Sequence, residues 1–264
     1  MTETQAALAG LVAAALGADP RVHSVWLSGS LARDGGNAWS DVDLVAVVAE
    51  ADRPLCLADY RLGQPGMPPT ILARALYGRI LTAVTPEWER FDISFLSPEE
   101  LARMDGGALK PLRGDPATRP APLSAQPDHR AGQRVEAMVT EFLRILGLLP
   151  VAVGRGEWLV AQQGDELQRR LLIDLMVEEN DVPPSARGGA KKLNIFLSSE
   201  QREVLEALLR PAARRDTVIA AAAHLAQLFL ARAGPLAERL DAPWPDAFEQ
   251  ATRGYLETTL AFNC

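Results

Sequence analysis

Two aspartates, one residue apart, are the part of the sequence best suited to chemistry. They are Asp41 and Asp43, in the segment Ser40-Asp41-Val42-Asp43-Leu44, and an apolar run follows them. If this run is a β-strand, its side chains alternate between two faces, so both aspartates point the same way. Two neighbouring carboxylates repel each other, and a bound cation keeps both ionised. Oxygen ligands at this spacing suit Mg²⁺, which usually binds together with substrate phosphates.

A glycine-serine pair precedes the aspartates, at the end of an earlier apolar run. Gly29 can adopt backbone angles that other residues avoid, and it lets a ligand approach the chain closely. Ser30 offers a hydroxyl and an amide, and the free N–H groups of a helix that begins here would favour phosphate oxygens. A lone Gly-Ser pair is more often an ordinary turn, so its meaning depends on the acids that follow.

A third acid, Asp92, lies in the middle of residues 90–96, where apolar and polar residues alternate as in a strand. A carboxylate between two large apolar residues is costly to bury without a partner. Its partner could be a neighbouring arginine, Arg90 or Arg33. Alternatively, Asp92 could face the other two aspartates. Three carboxylates around a pair of Mg²⁺ ions could carry out phosphoryl or nucleotidyl transfer, with one of them accepting the proton of the attacking hydroxyl.

The elements needed to position these groups make up a mixed α/β first half. The pattern predicts a helix over residues 4–17, strands over 22–27, 41–49, 79–84 and 90–96, and a helix that begins at Ser97. The first half of residues 71–85 fits a helix, residues 52–60 are ambiguous, and residues 108–112 fit a terminal strand. These strands place the glycine-serine turn at the end of one strand and the aspartates at the start of the next.

The second half of the sequence is predicted to be helical. Residues 106–127 are rich in proline, glycine and alanine and mark a domain boundary. The predicted helices cover residues 135–149, 158–179, 200–209 with Ser199 as the cap, 214–232 and 242–259. The expected fold class is therefore α+β. A small mixed β-sheet with flanking helices would occupy residues 1–115, and an all-α helical bundle residues 128–264.

Charge and composition exclude several classes of protein. The chain has 264 residues, a hydrophobic share of 48% and a formal net charge of −7. Such an acidic balance argues against a nucleic acid partner, which a protein usually grips with a basic face. No run approaches the roughly 18 apolar residues of a membrane helix, so we expect no membrane partner. The two cysteines, Cys56 and Cys264, match no metal-ligand spacing, and we expect a reducing, cytoplasmic setting.

Together, Gly29-Ser30, the spacer and residues 40–44 resemble the signature of the nucleotidyltransferase superfamily that includes DNA polymerase beta. Asp92 matches the third acidic position of that signature. The resemblance covers roughly the first hundred residues. It implies a small twisted mixed sheet with flanking helices. It also implies transfer of a nucleoside monophosphate from a nucleoside triphosphate to a hydroxyl, with Mg²⁺ and release of pyrophosphate.

The resemblance implies roles for individual residues. Three acidic side chains would hold two Mg²⁺ ions and act in catalysis: Asp41, Asp43 and Asp92. Four residues would bind the nucleotide: Gly29, Ser30, Ser40 and Lys191. For Lys191, which follows two glycines, a solvated loop is the alternative. One position departs from the pattern, because many members carry a glycine where this sequence has Asp34.

The length and the helical second half are similar to those of bacterial enzymes that adenylylate aminoglycoside or lincosamide antibiotics. This resemblance implies ATP as the nucleotide, a small hydroxylated and cationic acceptor, and a helical domain that closes one side of the cleft. A homodimer is compatible with it. Acids of the helical half, such as Asp165 and Asp174, are alternatives for the general base. Two other interpretations stay open: an enzyme that acts on a protein or a tRNA end, and a non-catalytic nucleotide-binding regulatory module.

Overall fold

The computed structural model of the chain describes residues 1–33, 35–122, 128–187, 193–208 and 210–261. The chain divides into two compact units, Met1–Ala125 and Gln126–Cys264. The predictions made for Asp34 and Lys191 concern residues outside the described ranges.

The first unit is built on a six-stranded mixed sheet. Its strands are β1 (Val22–Leu27), β2 (Val42–Val48), β3 (Leu72–Leu76), β4 (Ile80–Val84), β5 (Arg90–Leu96) and β6 (Lys110–Arg113). Its helices are α1 (Glu3–Gly17), α2 (Gly29–Ala32), α3 (Arg53–Leu62) and α4 (Pro98–Leu101). The strand order is β3-β4-β5-β2-β1-β6, with β2 and β5 parallel and the other neighbours antiparallel. The predicted α+β class with a mixed sheet is confirmed.

The two faces of this sheet have different surroundings. Val42, Leu44 and Ala46 of β2 point to one face, where they are buried in a core that also contains side chains of α1 and α3. The alternate residues of β2 point to the opposite face, where Val45 and Val47 belong to a smaller core near α4. Because side chains alternate along a strand, Asp43 must lie on this second face, away from α1 and α3.

The prediction of a helix in the first half of residues 71–85 is wrong, because the chain forms strand β3 there. This strand lies at the edge of the sheet, and most of its residues are exposed. Its Ala- and Leu-rich sequence therefore shows no alternation of buried and exposed residues. The pairing comes from the turn to β4, where Tyr77 and Gly78 both have positive φ angles, 51° and 66°. Two successive positive φ angles are typical of the tight turns that close β-hairpins.

Among its described residues, the second unit contains helices joined by turns and loops, and no strand. Its helices are α5 (Ala131–Arg155), α6 (Trp158–Glu179), α7 (Leu193–Phe196), α8 (Ser199–Ala207), α9 (Arg215–Arg239) and α10 (Asp246–Leu260). Helices α5, α6 and α9 share one apolar core, in which the rings of Phe142 and Phe229 stack with their centres 3.9 Å apart. The predicted C-terminal helical region is confirmed.

The cap predicted for α8 is one residue off. Ser198, rather than Ser199, precedes the helix, and its hydroxyl accepts a hydrogen bond from the Gln201 N–H at 3.1 Å. The Gln201 side chain in turn accepts from the Ser198 N–H at 2.9 Å. This reciprocal capping box needs a Ser three residues before a Gln or Glu, and Ser198 satisfies that spacing.

Two helices of the second unit are long and apolar enough to cross a membrane by length and composition. They are Ala131–Arg155, with a mean hydropathy of 1.6, and Arg215–Arg239, with a mean hydropathy of 1.3. The expectation that no segment approaches this limit was too strict. However, core helices of soluble proteins pass the same test, and both of these supply buried side chains to the core, among them Phe142 and Phe229.

A buried carboxylate, that of Glu178, connects several segments of the second unit. Its side chain is 3% exposed and receives hydrogen bonds from Arg134 of α5 and Arg187, both at 2.6 Å. Burial by itself raises the pKa of Glu178, but the hydrogen bonds from the two arginines outweigh it and hold the pKa below its usual range. The ionised form is therefore favoured in the folded state and contributes stability above about pH 4.

Replacing Glu178 by glutamine should lower the free energy of unfolding by about 2–3 kcal/mol, because two arginines lose a buried anion. The stability that ionised Glu178 contributes is lost as pH falls through its lowered pKa, so the wild type should weaken below about pH 4 more steeply than the variant. Urea unfolding at several pH values measures both effects. Glu141→Gln is the matched control. It removes the half-exposed pair with Arg144 and should cost less than about 1 kcal/mol. Equal losses in the two variants would contradict the role given to Glu178.

Candidate active site

Asp43 and Asp92 lie side by side on neighbouring strands. Asp43 is the second residue of β2, and its register partner on the parallel strand β5 is Asp92. Adjacent strands lie about 4.8 Å apart, and register partners point to the same face of a sheet. Both residues are half-buried. The structure thus brings two of the three predicted acids together, on the face opposite α1 and α3.

Asp41, the third predicted acid, lies immediately before β2 and is half-buried. If the register of β2 and β5 is continued, Asp41 lies opposite Arg90, two residues before Asp43 along the chain. Within the ranges that the structure describes, no group of three or more acidic, histidine or cysteine side chains is arranged to hold a metal ion. The carboxylates are therefore organised as an adjacent pair with a third acid nearby in the chain.

Gly29 lies directly against the carboxylate of Asp43. A Cβ atom placed on Gly29 would be 1.9 Å from Oδ2 of Asp43, which is far inside contact distance. Gly29 also has a φ angle of 65°, in the left-handed region that favours glycine. In addition, the N–H of Ser28 donates to the backbone oxygen of Asp43 at 2.8 Å. The glycine-serine turn and the second aspartate are thus parts of one local structure.

The two predicted nucleotide-binding serines have different surroundings. Ser30 lies half-buried in the four-residue helix α2, and its backbone oxygen accepts from the Gly35 N–H at 3.1 Å. The hydroxyl of Ser40 accepts a hydrogen bond from the Asn37 N–H at 3.0 Å. Ser40 thus has a part in the structure of its own loop. Nucleotide binding by Ser30 and Ser40 stays a prediction.

Two residues that sequence reasoning did not assign hold the loop before Asp41. The side-chain nitrogen of Gln5, a buried residue of α1, donates to the backbone oxygens of Asn37 and Ser40 at 2.8 and 2.9 Å. Arg90 of β5 donates to the backbone oxygen of Trp39 at 2.7 Å. The sequence marks Gln5 as part of a capping box with Thr2, but contains no signal for its contact with a loop more than thirty residues away.

The suggestion that an arginine neutralises Asp92 is not what the structure shows. Arg90 donates to Trp39, and Arg33 donates from Nε to the backbone oxygen of Gly29 at 3.3 Å. Among the residues that the structure describes, Asp92 forms no ion pair. Asp92 is thus a half-buried carboxylate that lies beside a second carboxylate on the neighbouring strand.

The donor set of this site fits a hard divalent cation. Mg²⁺ prefers oxygen ligands and is usually bound through one or two carboxylates together with substrate phosphates. Asp43 and Asp92 supply two such carboxylates on the face of the sheet opposite α1 and α3. An all-protein cage of three or more ligands is not needed for this mode of binding. The geometry could therefore support metal-assisted transfer of a phosphoryl or nucleotidyl group.

Acids of the helical unit have other surroundings. Asp165 is 6% exposed and accepts a hydrogen bond from Arg169, four residues later on α6, at 2.5 Å. This is a local pairing between residues four apart on one helix. Asp174 lies exposed on the same helix.

The chain matches no family model and no curated protein sequence. Two solved structures are similar to it over most of their length. One is an aminoglycoside 6-adenyltransferase from Bacillus subtilis, at 15% identity and a TM-score of 0.45, covering 97% of this chain and 99% of that one. The other is a nucleotidyltransferase-like protein from Exiguobacterium sibiricum 255-15, at 13% identity and a TM-score of 0.34, covering 93% and 84%. Similarity at this level assigns no activity to this chain.

Proposed function

We propose that the protein is an Mg²⁺-dependent nucleotidyltransferase. It transfers a nucleoside monophosphate, AMP from ATP, to a hydroxyl group of a small molecule and releases pyrophosphate. The observation that carries this proposal is the in-register pair of Asp43 and Asp92, with Gly29 packed against the Asp43 carboxylate. The sequence motif and the strand register point to the same two acids, Asp43 and Asp92, although the motif is read from spacing in the sequence and the pair from the structure.

In this reaction the acceptor oxygen attacks the α-phosphorus of the nucleotide. The bond from that phosphorus to the oxygen bridging to the β-phosphate breaks, and pyrophosphate leaves. Asp43 and Asp92, with Asp41 nearby in the chain, would hold Mg²⁺, which would offset the negative charge of the triphosphate and of the leaving group. Asp92 is also the candidate base that takes the proton of the acceptor hydroxyl. Gly29 and Ser30 would lie along the triphosphate, where the absence of a side chain at Gly29 allows close approach.

The acceptor that we propose is small, hydroxylated and cationic, of the aminoglycoside or lincosamide class. An acidic protein with a formal net charge of −7 attracts cations and repels polyanions. The resemblance of the whole architecture to antibiotic adenylyltransferases supports the same class. We also propose that the protein acts in the cytoplasm, where ATP and Mg²⁺ are supplied.

An acceptor screen tests this function. The protein is incubated with Mg²⁺, each of the four nucleoside triphosphates in turn and a panel of aminoglycosides and lincosamides. The masses of the products are then measured by mass spectrometry. We expect one panel member to gain the mass of a nucleoside monophosphate, with ATP as the preferred donor and pyrophosphate as the second product. Labelling of a tRNA or a protein instead would contradict the proposed acceptor. The absence of any labelled product and of any binding of Mg²⁺-nucleotide in calorimetry would contradict the proposed activity.

A further inference from the structure

The side-chain amide of Gln5 connects helix α1 to the loop before Asp41. Gln5 is 1% exposed, and both hydrogens of its nitrogen are used, one by the Asn37 oxygen at 2.8 Å and one by the Ser40 oxygen at 2.9 Å. Its oxygen accepts from the Thr2 N–H at 2.8 Å. Because both loop groups are carbonyl oxygens, only the amide nitrogen can face them, and this defines the orientation of the amide.

This contact acts directly on the peptide that leads into Asp41. The oxygen of Ser40 and the N–H of Asp41 belong to one planar peptide unit, so holding that oxygen also sets the direction in which the chain continues to Asp41. The oxygen of Asn37, the other acceptor, also receives the Ser40 N–H at 3.1 Å. Gln5 thus holds both ends of the turn formed by residues 37–40.

A second side chain holds the same loop from the other side. Arg90 of β5 donates to the Trp39 oxygen at 2.7 Å, so the backbone oxygens of residues 37, 39 and 40 all accept from side chains of other elements. Arg90 is exposed, whereas Gln5 is buried. Loss of the Gln5 donor removes the side-chain partner of the Ser40 oxygen and one of the two partners of the Asn37 oxygen. A hydrogen bond from a buried group contributes more than one from an exposed group, so this loss should cost more than loss of the Arg90 bond.

We propose that Gln5 is a positioning residue for the active site, which holds the loop of residues 37–40 so that Asp41 meets the metal-bound nucleotide in one orientation. This inference rests on the proposed nucleotidyl transfer. Gln5 does not contact the reacting atoms in this arrangement. Its effect is on geometry, and a misplacement of about 1 Å at a catalytic group can cost about a hundredfold in rate.

The substitution Gln5→Glu tests this role selectively. A glutamate keeps the capping box, because its carboxylate still accepts from the Thr2 N–H. When ionised it has no hydrogen to donate, and it places negative charge against two carbonyl oxygens. We expect amide hydrogen exchange in residues 35–41 to become at least about tenfold faster. We also expect kcat to fall about a hundredfold, with KM for the acceptor changed by less than about threefold.

Two further variants separate positioning from general stability. Thr2→Ala removes the hydroxyl that caps α1 but leaves the Gln5 nitrogen and its loop contacts in place. It should lower the stability of the fold by about 1 kcal/mol without changing kcat or exchange in the loop. Gln5→Met removes the donor without adding charge, and it serves if the glutamate variant does not fold.

The outcomes are distinct. Normal loop exchange and normal kcat in a folded, active Gln5→Glu or Gln5→Met variant would overturn the role of Gln5 and leave the proposed function intact. An equal loss of kcat in Thr2→Ala would also overturn it, since the effect would then follow stability. A wild-type protein that labels no acceptor would overturn the proposed function, and this inference with it.

Discussion

Replacing Asp43 by alanine is expected to abolish nucleotidyl transfer and to leave the protein folded. Asp43 is the acid that connects the two parts of the site, because its side chain lies beside Asp92 and against Gly29. Without it, one of two adjacent cation ligands is missing and the triphosphate charge is no longer offset at that point. We expect kcat to fall by at least about a thousandfold, which corresponds to about 4 kcal/mol of transition-state stabilisation.

The loss of activity in this variant should not come from unfolding. Two neighbouring carboxylates repel each other, which offsets part of the stability lost with the other contacts of Asp43, so the variant should still unfold cooperatively. Urea unfolding without Mg²⁺ measures this, and the mass-shift assay measures kcat. Glu50→Ala is the matched control, since Glu50 is an exposed acid just beyond the opposite end of β2. It should transfer at the wild-type rate. Full activity in folded Asp43→Ala would refute the proposed site.

The strands that position the site could be predicted because β1 and β2 are short, apolar and rich in valine, and because β5 alternates between apolar and polar residues. Strands β1 and β5 have the predicted bounds, Val22–Leu27 and Arg90–Leu96, and β2 differs by one residue at each end. In these strands the residues that face α1 and α3 must be apolar to fill the core. The sequence therefore shows which residues are buried. Edge strand β3 is mostly exposed, with Ala73 packed against the core, so it carries little of this pattern, and alanine and leucine are residues that also favour helices.

The contacts inside the site could not be predicted in the same way. The spacing of Asp41 and Asp43 indicates that they share a face, but the adjacency of Asp43 and Asp92 depends on which strand lies next to β2. The order of strands in the sheet decides this, and hydrophobic periodicity contains no information about strand order. The contact of Gln5 with the loop likewise depends on how α1 packs on the sheet, and not on any local pattern around Gln5.

Replacing Gly29 by alanine is expected to inactivate the protein through Asp43. The new Cβ would lie 1.9 Å from Oδ2 and 2.6 Å from Cγ of Asp43. Oδ2 and Cγ can rotate away, because they lie toward the end of the side chain. The third contact, 2.9 Å to Cβ of Asp43, needs only a small shift of the backbone, so the fold should survive. The cost then appears as a displaced carboxylate, and we expect kcat to fall about a hundredfold or more. An alanine at a φ angle of 65° adds roughly 1 kcal/mol of backbone strain.

The substitution Gly78→Ala is a control that adds backbone strain without displacing a catalytic side chain. Gly78 has nearly the same φ angle, 66°, but a Cβ there would meet no atom within 4 Å. This variant should lose about 1 kcal/mol of stability and keep full activity. In an Asp43→Ala background, Gly29→Ala should cost less stability than in the wild type, because the contacts at 1.9 and 2.6 Å are gone and only the one to Cβ at 2.9 Å remains. If Gly29→Ala transfers normally and loses the same stability with and without Asp43, that result would mean that Gly29 is needed only for the conformation of the turn. A loss of transfer confined to Gly29→Ala, with a smaller stability cost once Asp43 is removed, would identify the contact between residues 29 and 43 as the feature on which activity depends.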